Sequence, residues 1–168
     1  MESVLNNIRF FIDAVSGNGR IVFWNDTAAT MTGYPAQRIC AEPEPWKILY
    51  PDETYRSRLF IDASKKGWDI RGELWKLTCA DGSVLPLTIS VFEVNSLLKN
   101  LNAVKMAVGV RAPSPDAEIE IPGYELEIQY KGGLFRLFPE GFPQRATAGN
   151  ICTTLRDRLL QLDALSAK

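Results

Sequence analysis

The chain has 168 residues, of which 46% are hydrophobic and 23% charged, the balance of a globular rather than a disordered protein. With 19 basic and 20 acidic residues the net charge is −1, without the basic excess that nucleic-acid binding uses, so no nucleic-acid partner is expected. Histidine is absent altogether, which excludes a Ser-His or Cys-His nucleophile, histidine-ligated haem and the usual zinc centres.

The three cysteines, Cys40, Cys79 and Cys152, are far apart and odd in number, as expected of buried thiols in a reducing compartment. No pair has metal-ligand spacing, so no metal site is expected. The N-terminus has no basic region followed by an apolar core and cleavage site. No apolar run approaches the roughly 20 residues that cross a bilayer. A cytoplasmic protein without a membrane partner is expected.

Val4, Leu5 and Ile8 are helix anchors in a short polar-leaning start. Phe10–Val15 reads as a strand, with Phe10, Ile12 and Ala14 alternating against Phe11, Asp13 and Val15. Ser16-Gly17-Asn18-Gly19 is a tight turn, because Asn-Gly offers two residues at ease with positive φ. A phosphate loop would need a third glycine and a βαβ setting, and neither is present. Ile21–Trp24 is the returning strand. Asn25 and Asp26 follow at once, and Asn25 reads as the cap of a helix over Thr27–Thr32 that Gly33 closes.

Pro35–Ile39 is a further helical turn with Pro35 at its first position. Two prolines make Ala41–Pro45 irregular, and Trp46–Tyr50 is an apolar patch. A helix then runs from Pro51 to about Lys66, with Tyr55, Leu59, Phe60 and Ala63 on one face. Asp52 and Glu53 in its first turn favour the helix dipole and need no acid–base role.

Gly67 ends that helix. Trp68–Ala80 is a long strand with Glu73, Trp75, Leu77 and Cys79 on one face. Asp81-Gly82 turns into Val84–Val94, where Leu85, Leu87, Ile89 and Val91 oppose Pro86, Thr88, Ser90 and Phe92. Asn95–Asn102 connects to a last strand, Ala103–Arg111, with Val104, Met106, Val108 and Val110 alternating. Two strands, short helices and three strands predict an α+β domain: one antiparallel sheet with helices on one face. Pro113 and Pro115 mark its boundary, dividing the chain into residues 1–113 and 114–168.

Over about residues 4–112 the order and the motifs resemble the PAS domain family. The matching pieces are Gly19–Asn25, Met31-Thr32-Gly33-Tyr34, Leu49–Glu53, Gly72-Glu73-Leu74 and Asp81-Gly82-Ser83. The resemblance implies a five-stranded antiparallel sheet flanked by short helices. It also implies a role in sensing or partner contact within signalling proteins. Two departures matter. The flavin-binding, light-sensing branch carries Asn-Cys-Arg-Phe-Leu-Gln after the short helices, whereas this chain has Ile39-Cys40-Ala41-Glu42-Pro43. Flavin is therefore disfavoured, and the cofactor stays unknown. The Gly72-Glu73 piece also sits one residue further from Asp81-Gly82 than is usual, which leaves that strand's register open.

In this family the ligand pocket lies between the inner sheet face and the short helices. The residues that would line it are Phe23, Met31, Ile39, Trp46 and Leu49, then Phe60, Trp75, Leu77, Ile89 and Met106. They either fill the space as core or leave an apolar cavity. A ligand in such a cavity is expected to be small, apolar or planar, and uncharged.

Beyond the boundary, Ile119 and Ile121, then Tyr124, Leu126, Ile128 and Tyr130, alternate with polar residues. Lys131-Gly132-Gly133 turns them back along Leu134–Phe138 as a hairpin. Pro139–Gly149 reads as a loop. Thr147 or Asn150 caps an amphipathic helix to about Leu165, with Ile151, Leu155, Leu159 and Leu162 as its stripe. That stripe either docks within the chain or forms a dimer seam.

The expected function is a cytoplasmic, non-catalytic sensory or regulatory module that binds a small molecule or partner and relays a conformational change. The alternative is an interaction module with a filled core, joined as a homodimer or to a signalling partner. An enzyme is not expected, since no cleft gathers an obvious base.

Overall fold

The computed structural model describes residues 1–121 and 127–168; Tyr124 and Leu126 lie outside the described residues. A short helix, α1 (Glu2–Asn6), buries Leu5 and leads into β1 (Phe11–Ser16) and β2 (Ile21–Trp24), an antiparallel pair. β1 starts one residue later than alternation suggests, because the Phe10 carbonyl accepts from the Asn25 side chain at 2.8 Å. In the turn only Gly19, not Asn18, takes a positive φ, at 81°.

Asn25 is fully buried and caps α2 (Asp26–Thr32). Its Oδ1 accepts from Ala28 N at 2.9 Å and from Ile12 N at 3.1 Å. Its Nδ2 donates to the carbonyls of Leu5, Ile8 and Phe10 at 3.3, 3.2 and 2.8 Å. One amide thus ties the first helix, the first strand and the start of α2 together. Gly33 closes α2 at φ 77°, and a Cβ there would lie 3.2 Å from the Ala80 methyl.

Three more short elements follow: α3 (Ala36–Ala41), α4 (Pro45–Leu49) and α5 (Glu53–Lys65). Pro35 caps α3 rather than opening it, whereas Pro45 does hold a first-turn position in α4. The apolar patch at Trp46 is therefore helical. Asp52 caps α5, accepting from Tyr55 N at 3.0 Å.

The remaining strands are β3 (Ile70–Thr78), β4 (Val84–Glu93) and β5 (Ala103–Arg111). With β1 and β2 they form one five-stranded sheet in the order β2-β1-β5-β4-β3, antiparallel at every pairing. β3 is shorter than its sequence pattern, because Gly67 and Trp68 both sit at positive φ and delay the strand. The extra residue before Asp81-Gly82 is absorbed as a bulge between Ile70 and Glu73. Gly72, at φ 65°, makes the bulge possible, and a Cβ there would lie 2.9 Å from Gly149 Cα.

Both sheet faces are buried. The inner face packs Phe11, Leu87 and Ile89 under α2–α5. The outer face packs Ile12, Phe92, Val108 and Val110 under the C-terminal segment. That segment begins with β6 (Glu118–Glu120), then the hairpin β7 (Glu127–Tyr130) and β8 (Gly133–Arg136). The stretch expected as a loop contains β9 (Arg145–Thr147), which pairs with β6.

The last helix, α6 (Ala148–Ser166), is capped by Thr147, whose Oγ1 accepts from Asn150 N at 3.2 Å. Its stripe of Ile151, Leu155, Leu159 and Leu162 is buried against the outer sheet face, so the helix docks within its own chain. Polar contacts fix its register. The Cys152 thiol donates to the Thr88 carbonyl at 3.1 Å, and Arg156 reaches Asp69 at 2.7 Å. Near the far end, buried Asp163 accepts from the backbone amides of Asn95, Ser96 and Leu97, at 3.0, 2.8 and 2.8 Å for the shortest bond of each.

Removing Asp163 would orphan three amides at the β4–β5 connection. Asp163→Ala is expected to cost at least about 3 kcal/mol in urea unfolding. It should also speed hydrogen exchange at Asn95–Leu97. Unchanged stability and exchange would show that this cap is idle.

Candidate functional site

A cavity of about 250 Å³ opens between the inner sheet face and α4 and α5. Its sheet side is formed by inward residues of β1, β3, β4 and β5, among them Trp75, Leu77 and Ile89. Its helical side is Trp46, Leu49 and Tyr50 from α4 and its cap, and Phe60 from α5. Trp46 is held in place by its indole N–H, which donates to the Gly19 carbonyl at 2.9 Å. That bond fastens α4 to the β1–β2 turn.

Phe60 is the hub of the aromatic wall. Its ring centroid lies 5.7 Å from Trp46, 6.0 Å from Tyr50, 5.7 Å from Trp68 and 6.4 Å from Trp75. Most of these contacts are edge-to-face, the geometry that aromatic quadrupoles favour. The Lys105 ammonium sits over the Trp68 ring, 5.3 Å from its centroid.

Of the ten positions expected from sequence, seven line this cavity: Trp46, Leu49, Phe60, Trp75, Leu77, Ile89 and Met106. Met106 does so while belonging to the outer-face cluster. The other three stand elsewhere. Phe23 pairs with Ala14 and faces outward, because a register shift in the β1–β2 pair turns Trp24 inward in its place. The Trp24 indole donates to the Tyr34 carbonyl at 3.1 Å. Met31 borders a separate polar groove with Cys79 and Arg111 at the far end of the sheet. Ile39 is buried with the inner cluster, but α3 lies over β2, so its side chain does not reach the cavity. Cys40 also lies outside the cavity lining, half-buried on α3, where burial first and then the Asp13 carboxylate raise its pKa.

Sequence reasoning missed Asp13. It lies on β1 between Phe11 and Val15, pairs with Trp24 and Ala107, and faces the cavity with only 5% of its surface exposed. Among the described residues no side chain or backbone group hydrogen-bonds to it. The expectation of a cavity with almost no buried charge therefore does not hold. The available sign was a single acid on an otherwise apolar strand face.

Burial pushes the Asp13 carboxyl up from 3.8 to about 7. Tyr50, buried nearby, is raised well above the ordinary tyrosine value, first by burial, then by Asp13 and Tyr55. The cavity thus places one titrating acid within an aromatic and aliphatic enclosure. Among the described residues no three metal-ligating side chains converge. The described residues also include no helix long and apolar enough to cross a membrane.

Residues 1–92 match the family model of the PAS fold. This is more than half of the chain, and the chain belongs to the PAS-fold family. No curated protein matches it. Among solved structures, the PAS domain of a Colwellia psychrerythraea protein superposes with TM-score 0.51 at 18% identity, covering 66% of this chain and 92% of that one. A PAS domain from Desulfitobacterium hafniense gives 0.50 at 14% identity, covering 64% of this chain and 97% of its own. A domain of a sensory box sensor histidine kinase/response regulator from Geobacter sulfurreducens gives 0.50 at 13% identity, covering 64% and 87%. At these identities the likeness shows the fold alone. It covers about two thirds of this chain in each case.

The raised carboxyl has a signed consequence. The folded state holds the Asp13 proton up to about pH 7, while the unfolded chain releases it near 3.8. This contribution to stability is full below the lower value and is lost as pH rises through the upper one. From about pH 5 to about pH 7.5 the wild type should lose roughly 2–3 kcal/mol that Asp13→Asn does not. Denaturant unfolding of both proteins at the two pH values checks this. Parallel pH profiles would contradict it.

Proposed function

We propose that this chain is a non-catalytic sensory module of a signalling protein, acting in the cytoplasm, that binds a small molecule between its sheet and short helices. The observation that carries this is the cavity itself. A family member with aromatics at Trp46, Tyr50, Phe60 and Trp75 retains a partly open cavity of about 250 Å³ where the rings could have closed the core. A tightly packed interior leaves few voids larger than a water molecule. Retained apolar space with a polar group aimed into it is the common form of a small-molecule site. The printed description of the Geobacter sulfurreducens neighbour, a sensor histidine kinase/response regulator domain, is in keeping with a signalling context.

The route for a signal lies in β4. Leu87, Ile89 and Val91 face the inner cluster, and the alternate residues Thr88, Ser90 and Phe92 face outward. Thr88 accepts from Cys152 on α6, and Ser90 Oγ accepts from Gly72 N in the β3 bulge. A ligand that favours one setting of these strands would shift α6, provided its affinity differs between the two settings. The alternative, an interaction module with a filled core that joins a homodimer or a signalling partner, is less in keeping with the cavity, and a seam on the leucine stripe would need a face that α6 already buries against its own sheet.

Native against denaturing mass spectrometry of the purified protein, with a metabolite thermal-shift screen, tests the ligand. Ala107 lines the cavity from the central strand. Ala107→Phe should fill the space, keep a melting temperature within a few degrees of wild type, and abolish every shift the wild type shows. Undiminished shifts in Ala107→Phe would place the binding site elsewhere. A wild type that carries no small molecule and responds to no compound would remove the sensory reading.

A further inference from the structure

The proposed ligand site contains a feature that a purely apolar ligand would leave unused. Asp13 lines the cavity, is 5% exposed, and has no hydrogen-bond partner among the described residues. Its position is fixed from both sides of its strand, by pairing with Trp24 on β2 and with Ala107 on β5. The other buried acid among the described residues is not left so: Asp163 collects three backbone amides. A cation that lines the same cavity is Lys105, opposite Val15 in the β1–β5 register. Its ammonium lies over the Trp68 ring, and it forms no ion pair with Asp13. The carboxyl therefore faces the cavity uncompensated, at a cost in folding stability that ordinary packing would avoid.

The other walls suit the same occupant. Tyr50, Trp75, Trp46 and Phe60 surround the space with aromatic rings. A ring face attracts a cation, and a desolvated carboxylate makes its strongest hydrogen bonds to a charged N–H donor. An anionic ligand would meet an unscreened acid, and a neutral hydrocarbon would leave that acid unsatisfied. Resting on the cavity as the ligand site, we propose that it takes a small organic cation. This is a protonated amine or amidine on a flat or apolar body, whose N–H groups donate to Asp13 while the body lies against Phe60 and Trp75.

Phenethylamine and 2-phenylethanol, nearly equal in shape and differing in charge, are the probes. Calorimetric titration into the full chain at about pH 8, where Asp13 is ionised and the amine still protonated, should show the amine binding wild type at least about ten-fold more tightly than the alcohol, the discrimination of one charge-assisted hydrogen bond. In Asp13→Asn the preference should fall below about two-fold, with affinity for the alcohol retained. The wild-type comparison stands without any variant. Equal or tighter binding of the alcohol by wild type would overturn the charge selection and leave the cavity as a ligand site. Binding of neither probe, with Ala107→Phe also indistinguishable from wild type in the metabolite screen, would overturn both.

Discussion

The structure depends on a five-stranded sheet that is apolar on both faces. An antiparallel sheet commonly packs one face and wets the other, which gives strict in–out alternation of apolar and polar residues. In β4 the alternation is instead between two kinds of interior. Leu85, Leu87, Ile89 and Val91 pack inward, while Thr88, Ser90 and Phe92 are buried on the other side. Each face therefore needs its own cover. Helices α2 to α5 supply one and α6 the other. The C-terminal segment completes the fold, since without it Ile12, Phe92 and Val108 would meet water.

The two covers differ in kind. α6 is a single long helix whose Ile151, Leu155, Leu159 and Leu162 sit fully buried. The inner cover is built from helices as short as five residues, joined by prolines and anchored at points such as the Trp46–Gly19 bond. Short helices joined by turns cover a twisted sheet less continuously than one long helix does. Aromatic rings bridge the gap around Phe60, and a cavity remains with Asp13 in its wall. The same sheet thus has one side covered by a single helix and one side with a cavity, with β4 and β5 shared between them.

Much of this was legible in the sequence, and the limits have physical reasons. Strand alternation located the five sheet strands. Asn25 marked a helix start as a cap, because its side-chain oxygen accepts from an amide that a first turn leaves free. Asp52, read as a first-turn acid, proves to be a cap as well, and of Thr147 and Asn150 it is Thr147 that caps the last helix. The stripe on α6 was visible as spacing, although spacing alone could not say what it would bury against. Phe23 was assigned to the wrong face because a bulge reverses alternation without leaving a local sign. β6 and β9 have three residues each and pair across a long separation, too little for any periodicity to show. Asp13 and Asp163 were both readable as acids on apolar faces. Only the structure shows that one is capped by three amides and the other by nothing among the described residues.

The bulge at Gly72 has a consequence for how the molecule meets its surroundings. β3 is an edge of the sheet, and an exposed edge is a template on which a foreign strand can grow. Here the ladder is interrupted between Ile70 and Glu73, Gly72 N is already committed to Ser90, and the backbone at Gly72 abuts Gly149 at the head of α6. The opposite edge, β2, offers only four residues. Both margins are therefore poor seeds for strand-by-strand polymerisation, which suits a protein whose sheet is lined on each side with large apolar groups.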